Sequence, residues 1–176
     1  DDRGIFDEQK TQELVEARLL KADRAVIPGF YGADEEGNII TFSRGGSDIT
    51  GSILSAALDS KLYENWTDVS GFLKADPRVV KNPLPIREIT YKELRELSYM
   101  GAPVLHEEAI FPVRNKGIPI QIRNTNKPED LGTLIVYDNY SDKIPGTIAG
   151  LAGRKDFTVI SVEKTQMNAE KGFLRK

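Results

Sequence analysis

Short apolar runs alternating with stretches of helical periodicity constrain this chain more than any other feature. Residues 25–27, 38–42, 61–66, 118–124 and 133–137 read as strands, and 7–23, 47–58, 90–101 and 106–115 read as helices. Strands alternating with helices imply an α/β sheet. In the first helix Leu14, Ala17 and Leu20 recur at helical spacing behind Asp7, a suitable N-cap. Ala25-Val26-Ile27 runs into Pro28-Gly29, the signature of a buried strand that ends in a turn. The polar stretch ADEEGN reads as a hairpin tip. Residues 70–89 carry Pro77, Pro83 and Pro85 and read as loop, after which Thr90 caps a strong helix. Residues 138–146 look like a linker. Beyond it, 157–162 alternates as a strand and a helix starts at Asn168, so the last forty or so residues look like the start of a second, smaller unit.

Composition excludes several classes of function. The 176 residues suffice for one ordinary domain or for pieces of two. Lys plus Arg number 24 against 27 Asp plus Glu, a net charge of −3, without the basic excess that nucleic-acid binding needs. There is no cysteine and one histidine, His106, so disulfide scaffolds, thiolate zinc sites, cysteine nucleophiles and His-rich metal sites are ruled out. His106 itself, near an apolar stretch, reads as a packed residue. No apolar run approaches the ~18 residues that cross a bilayer. The first ten residues carry no secretory pattern, and the expectation is a soluble cytoplasmic protein without nucleic-acid or membrane partners.

Two segments can carry chemistry. In Ser43-Arg44-Gly45-Gly46-Ser47-Asp48, paired glycines sit between a strand and a helix. They permit a sharp turn and close approach to a ligand. The helix start offers free N–H groups and a positive dipole end to an anion, and Arg44 adds a planar fork for a carboxylate or phosphate. Ser47 or Asp48 acting only as a helix cap explains the same letters. The second segment runs from Trp66-Thr67-Asp68-Val69 to Ala75-Asp76-Pro77-Arg78. Ligands of open α/β sheets bind beyond the carboxyl ends of strands. A hydroxyl, a carboxylate and an arginine there can hold a ribose and a phosphate, or can form a turn followed by a solvated Arg78. No GxxxxGK and no GxGxxG occurs, and Gly146, Gly150 and Gly153 have the wrong spacing for a dinucleotide turn.

Together, FSRGGSDITGSILSAAL, ENWTDVSGFLKADPRVV and ELSYMGAPVLHEEAIFPV resemble successive signatures of the aspartokinases, within the amino acid kinase superfamily. The resemblance implies the carboxyl-terminal part of that family's three-layer α/β kinase domain over residues 1–137. A linker and the truncated beginning of an α+β ACT regulatory domain would follow over 138–176. It implies ATP-dependent phosphorylation of the side-chain carboxylate of L-aspartate, the first step towards lysine, threonine and methionine. By resemblance, Arg44, Gly45, Gly46 and Ser47 bind aspartate and Asp48 is an active-site carboxylate. Thr67, Asp68, Leu73, Arg78, Pro103 and Val104 line the ATP site. Mg²⁺ arrives through the phosphates, and no protein metal site is implied. Met167, Asn168, Gly172 and Phe173 match the strand-to-helix turn where ACT domains bind an effector, here lysine or threonine, and ACT pairing implies a homodimer.

The chemistry suits a chain poor in histidine. A carboxylate nucleophile, with a pKa near ~4, is already ionised at neutral pH and needs no general base; phosphoryl transfer needs positioning and charge neutralisation. The chain departs from the family in lacking its Lys-Phe-Gly-Gly motif, which supplies a catalytic lysine, and in carrying Leu73 and Pro103 where members often have Tyr and Lys. It reads as an internal segment of a longer aspartokinase, inactive alone. The alternatives are a regulatory or binding fragment of such an enzyme and another amino acid kinase.

Overall fold

The computed structural model describes residues 6–42, 45–99, 105, 107–137 and 148–153. The expected linker, the elements at 157–162 and from Asn168, and His106 lie outside the described residues.

The chain opens with α1 (Glu8–Arg18), whose start is fixed by the Asp7 carboxylate accepting a hydrogen bond from the Lys10 N–H at 2.9 Å. Its buried residue is Val15; Leu14 and Leu20 are 47% and 63% exposed. The face expected from Leu14, Ala17 and Leu20 is therefore not the packed one. α1 touches the body through Gln12, whose Nε2 donates to the Ala57 carbonyl. Residues 25–27 do not form the buried strand that their composition suggests. They run without secondary structure and Val26 is fully exposed, because among the described residues no strand pairs with them.

The hairpin expected around ADEEGN is present as β1 (Tyr31–Ala33) and β2 (Ile39–Thr41), antiparallel, with Tyr31 opposite Thr41. Asp34 ties its tip by accepting from the backbone N–H groups of Glu36 and Asn38 and from the Asn38 amide, and these bonds hold its carboxyl below the usual carboxylate range.

Next come α2 (Gly46–Ala57), β3 (Tyr63–Thr67), β4 (Glu88–Thr90), α3 (Tyr91–Tyr99), α4 (Glu107–Asn115), β5 (Ile120–Asn124) and β6 (Thr133–Val136). The last four strands form one mixed sheet in the order β3-β5-β6-β4. β3 runs parallel to β5 and β4 parallel to β6, while β5 and β6 are antiparallel. Thr90 begins α3 through a reciprocal capping box. Its hydroxyl accepts from the Glu93 N–H, and the Glu93 carboxylate accepts from the Thr90 N–H and hydroxyl.

Alternation along β5 sends Ile120, Ile122 and Asn124 to the buried face. There the two isoleucines join Ile89, Leu94, Val113 and Ile135, all essentially without exposed surface. Burying a side chain of this size contributes roughly 1.5–3 kcal/mol. α2 packs on α4 where the buried Ser52 hydroxyl accepts from the Val113 N–H. The small residues of α2 thus let two helices meet over one face of the sheet and bring the start of α2 beside β3.

Candidate active site

The described residues of the RGGSD segment, 45–48, lead into α2. Gly45 is the N-cap of α2 and takes a left-handed conformation with φ 61°, which costs glycine little. This corrects the expectation that Ser47 or Asp48 caps the helix: both lie inside the first turn. Because Gly45 has no side chain, the helix start is not closed by its own cap, and a helix start left so offers its N–H groups and dipole end to an anion. Gly46 is buried against the hairpin. A Cβ there would stand 2.7 Å from Cδ2 and 3.0 Å from Cα of Phe30. Phe30 has φ 82°, a region that non-glycine residues avoid. It is held there by its N–H donating to the Thr50 hydroxyl, which in turn donates to the Gly46 carbonyl, and by its carbonyl accepting from the Phe42 N–H. The hairpin root is thereby hooked onto the first turns of α2.

Asp48, half-buried on that turn, is gripped from β3. Its Oδ1 accepts from the Asn65 Nδ2 at 2.9 Å, and its backbone carbonyl accepts from the Tyr63 hydroxyl at 3.3 Å. The same Asn65 amide donates to the Tyr63 hydroxyl at 3.1 Å. Burial, with the charge of Asp48, pushes the Tyr63 phenol up, against the opposing effect of the Asn65 hydrogen bond. Tyr63 reaches this position because residue 51 is glycine; a Cβ there would lie 2.6 Å from the Tyr63 hydroxyl oxygen.

At the carboxyl end of β3, Thr67 closes the strand and Asp68 follows it, as their sequence positions suggest. The Thr67 carbonyl accepts from both the N–H and the hydroxyl of Thr125, and its own hydroxyl donates to Asp68. The chain then leaves the sheet as a loop with a clamped neck. Thr133, fully buried, accepts from the Phe72 N–H at 2.8 Å and donates to the Ile86 carbonyl at 2.6 Å. Gly71, with φ 93°, leaves no room for a Cβ beside Thr133. Leu73 bridges Pro85 across the loop and its side chain is exposed. At the exposed tip, Arg78 pairs with Asp76 through three side-chain hydrogen bonds, the shortest 2.6 Å. That pairing holds the Asp76 carboxyl below its usual range and raises the Arg78 guanidinium.

Arg44, Pro103, Val104, Met167, Asn168, Gly172 and Phe173 lie outside the described residues. Of the described residues in the expected site, Gly45, Gly46, Ser47 and Asp48 share one turn, and Thr67 and Asp68 lie at the end of the strand that grips it. Leu73 and Arg78 lie on the separate loop. Sequence reasoning missed Phe30, Gly51, Tyr63 and Asn65. One signal was available: Tyr63, Asn65 and Thr67 alternate onto one face of a strand, and a polar residue at its centre, 7% exposed, requires a buried partner. No group of three or more His, Cys, Asp or Glu among the described residues could hold a metal ion, and none of the described helices is long and apolar enough to cross a membrane.

The profile of the amino acid kinase family matches residues 3–124. Aspartokinase 3 of Bacillus subtilis (strain 168) is 48% identical over 160 residues, which are 90% of this chain and 35% of that protein. The crystal structure of Clostridium acetobutylicum aspartate kinase, an allosteric enzyme, superposes with a TM-score of 0.87 at 62% identity, over 98% of this chain and 40% of that one. Escherichia coli aspartokinase III in complex with aspartate and ADP superposes with a TM-score of 0.67 at 33% identity, over 76% of this chain and 30% of that one. The chain thus spans 30% to 40% of the length of these three relatives. A mixed α/β sheet, the Gly-Gly-Ser-Asp start of α2 and a family match over most of the sequence agree, and the chain belongs to the amino acid kinase family.

Proposed function

We propose that the chain is the carboxyl-terminal part of an aspartokinase catalytic domain, over residues 1–137, followed from residue 138 by a linker and the beginning of an ACT regulatory domain. The full-length enzyme transfers the γ-phosphoryl group of ATP to the side-chain carboxylate of L-aspartate. A carboxylate oxygen forms the new bond to phosphorus, the bond to the bridging oxygen of ADP breaks, and the products are 4-phospho-L-aspartate and ADP.

The observation that carries this reading is the start of α2, where an N-cap without a side chain leaves a dipole end open and an acidic residue is fixed on the same turn. Arg44 and the N–H groups at Gly46 and Ser47 hold the substrate's carboxylates. Asp48 orients the cationic group that meets the transferring phosphoryl. Thr67 and Asp68 hold the nucleotide from the strand end, Arg78 swings from Asp76 to its phosphates, and Leu73, Pro103 and Val104 line it. Mg²⁺ carried on the ATP phosphates supplies further charge neutralisation. The relatives support the substrates: the Escherichia coli enzyme was crystallised with aspartate and ADP, and in a T-state with lysine and aspartate. By the same likeness, a turn around Met167, Asn168, Gly172 and Phe173 binds lysine or threonine, and the enzyme is a homodimer.

The test is acyl-phosphate trapping as the hydroxamate, using the full-length enzyme with ATP and Mg²⁺. Product from aspartate and none from glutamate is expected, with lysine or threonine, titrated singly and together, lowering the rate. Turnover with glutamate or a nucleoside monophosphate in place of aspartate would overturn the substrate assignment.

A further inference from the structure

We propose that Asn65 and Tyr63 are positioning residues for Asp48, a clamp on β3 that sets the direction of its carboxylate. The inference rests on the reading of Asp48 as an active-site carboxylate. Its geometry is a closed triangle. The Asn65 amide donates both to Asp48 Oδ1 and to the Tyr63 hydroxyl, and the Tyr63 hydroxyl donates to the Asp48 carbonyl. Side chain and backbone of one residue are therefore held together from a neighbouring strand. Asn65 is buried and its carboxylate partner half-buried, so the amide has little water to exchange partners with and the charge-assisted bond is strong.

Two further features exist to serve this arrangement. Gly51 leaves the space that the Tyr63 ring occupies. The Tyr63 phenol, protonated at neutral pH by its ordinary acidity, is pushed further up, which extends its availability as a donor to more alkaline pH. A capped helix start needs none of this, because an acidic residue in a first turn is stabilised by the dipole alone. The clamp commits one carboxylate oxygen, Oδ1, and fixes the plane of the other. Phosphoryl transfer depends on groups held in position before the reaction, and a carboxylate free to rotate would meet its cationic partner in only some of its orientations.

The experiment is a double-mutant cycle in the full-length enzyme, reading kcat and both KM values by coupled ADP release, with the thermal midpoint as a folding control. Asn65→Leu, branched alike and without the amide, is expected to lower kcat roughly ten- to a hundredfold, the range of one hydrogen bond to a charged group, with either KM changed less than about threefold. Tyr63→Phe, which removes one oxygen atom, is expected to lower kcat by a smaller factor, about threefold. It carries the test if Asn65→Leu does not fold. In an Asp48→Asn background, either change is expected to cost almost nothing further, because the group it positions is gone. Near-normal kcat in Asp48→Asn would overturn the reading of Asp48 and the clamp with it. A crippled Asp48→Asn beside normal Asn65→Leu and Tyr63→Phe would overturn the clamp alone, as would losses that multiply fully in the double variants.

Discussion

The corner where α2 meets β3 and the loop that runs from residue 71 to residue 86 are both assigned to the proposed site, yet they are built by opposite means. At the corner every element is cross-braced: Phe30 is hooked to α2, Gly46 lies under Phe30, and Asp48 is held by two residues of β3. In the loop the bracing lies towards the neck, through Thr133 and the backbone bonds that tie Lys74 to Leu84 and Ile86 to Phe72, while the tip is closed on itself by the Asp76–Arg78 pair. A surface pair of this kind is weakly held and gives way to a better partner. Under the proposed function, the contrast is the one that phosphoryl transfer asks of its parts. Groups that act on the reacting atoms gain from being fixed beforehand, whereas a loop that admits and releases a nucleotide has to change partners.

This contrast can be broken or sharpened by four measurements in the full-length enzyme. The largest effect is expected at the corner: Asp48→Asn should lower kcat by more than about a hundredfold while leaving both KM values within a small factor, as loss of a transition-state interaction does. A normal kcat would make the corner merely structural. At the neck, Thr133→Val keeps the shape and removes both anchors. It should cost about 1–3 kcal/mol in chemical denaturation, because the Phe72 N–H and the Ile86 carbonyl lose their partner. It should also raise the KM for ATP without touching that for aspartate. At the tip, Arg78→Ala should raise the KM for ATP roughly tenfold, as expected when a phosphate contact is lost, with the thermal midpoint only slightly lowered; a large fall in stability would show that the pair with Asp76 braces the loop after all.

The smallest effect concerns pH. Arg78 holds the Asp76 carboxyl below its usual range, so the folded state favours the charged form. The stability this gives is complete above the ordinary carboxylate pKa near ~4 and is lost as pH falls through the lower folded value. Asp76→Asn should therefore shift the thermal midpoint slightly at neutral pH and leave it unchanged in strong acid.

Local signals were legible in the amino-acid sequence and long-range ones were not. Thr90 with Glu93 three residues on, Asp7 before a helical period, and Asp34 ahead of Gly37 each determine structure within one turn, and each forms as its letters suggest. Residues 25–27 fail the same test because an apolar triplet becomes a strand only when another strand lies beside it, which no local pattern encodes. The face of α1 fails likewise: leucines at helical spacing indicate a helix but not which side meets the body, and Val15 was the side chain that did. In the site, RGGSD was visible as a motif. Its cap was misassigned because serine and aspartate are the commoner caps, and only the left-handed φ of Gly45 decides the matter. Alternation along β3 could mark Asn65 as an inward polar residue but not name its partner, which lies 17 positions away and on a different kind of element.

The order of the sheet also bears on how this chain behaves during synthesis. Tyr63 pairs with Ile120, and β4 pairs with β6, so neither parallel partner exists when the earlier strand leaves the ribosome. Pairings so distant along the chain form slowly. In the finished sheet β3 stands at one margin among the described residues, with β5 on its other side. A strand margin with no described strand beside it is the kind of template to which an extended chain can add. A nascent or excised segment of this kind is thus exposed to self-association before and after it folds, and its yield as soluble material will depend on temperature and chain concentration more steeply than the stability of its isoleucine core would suggest.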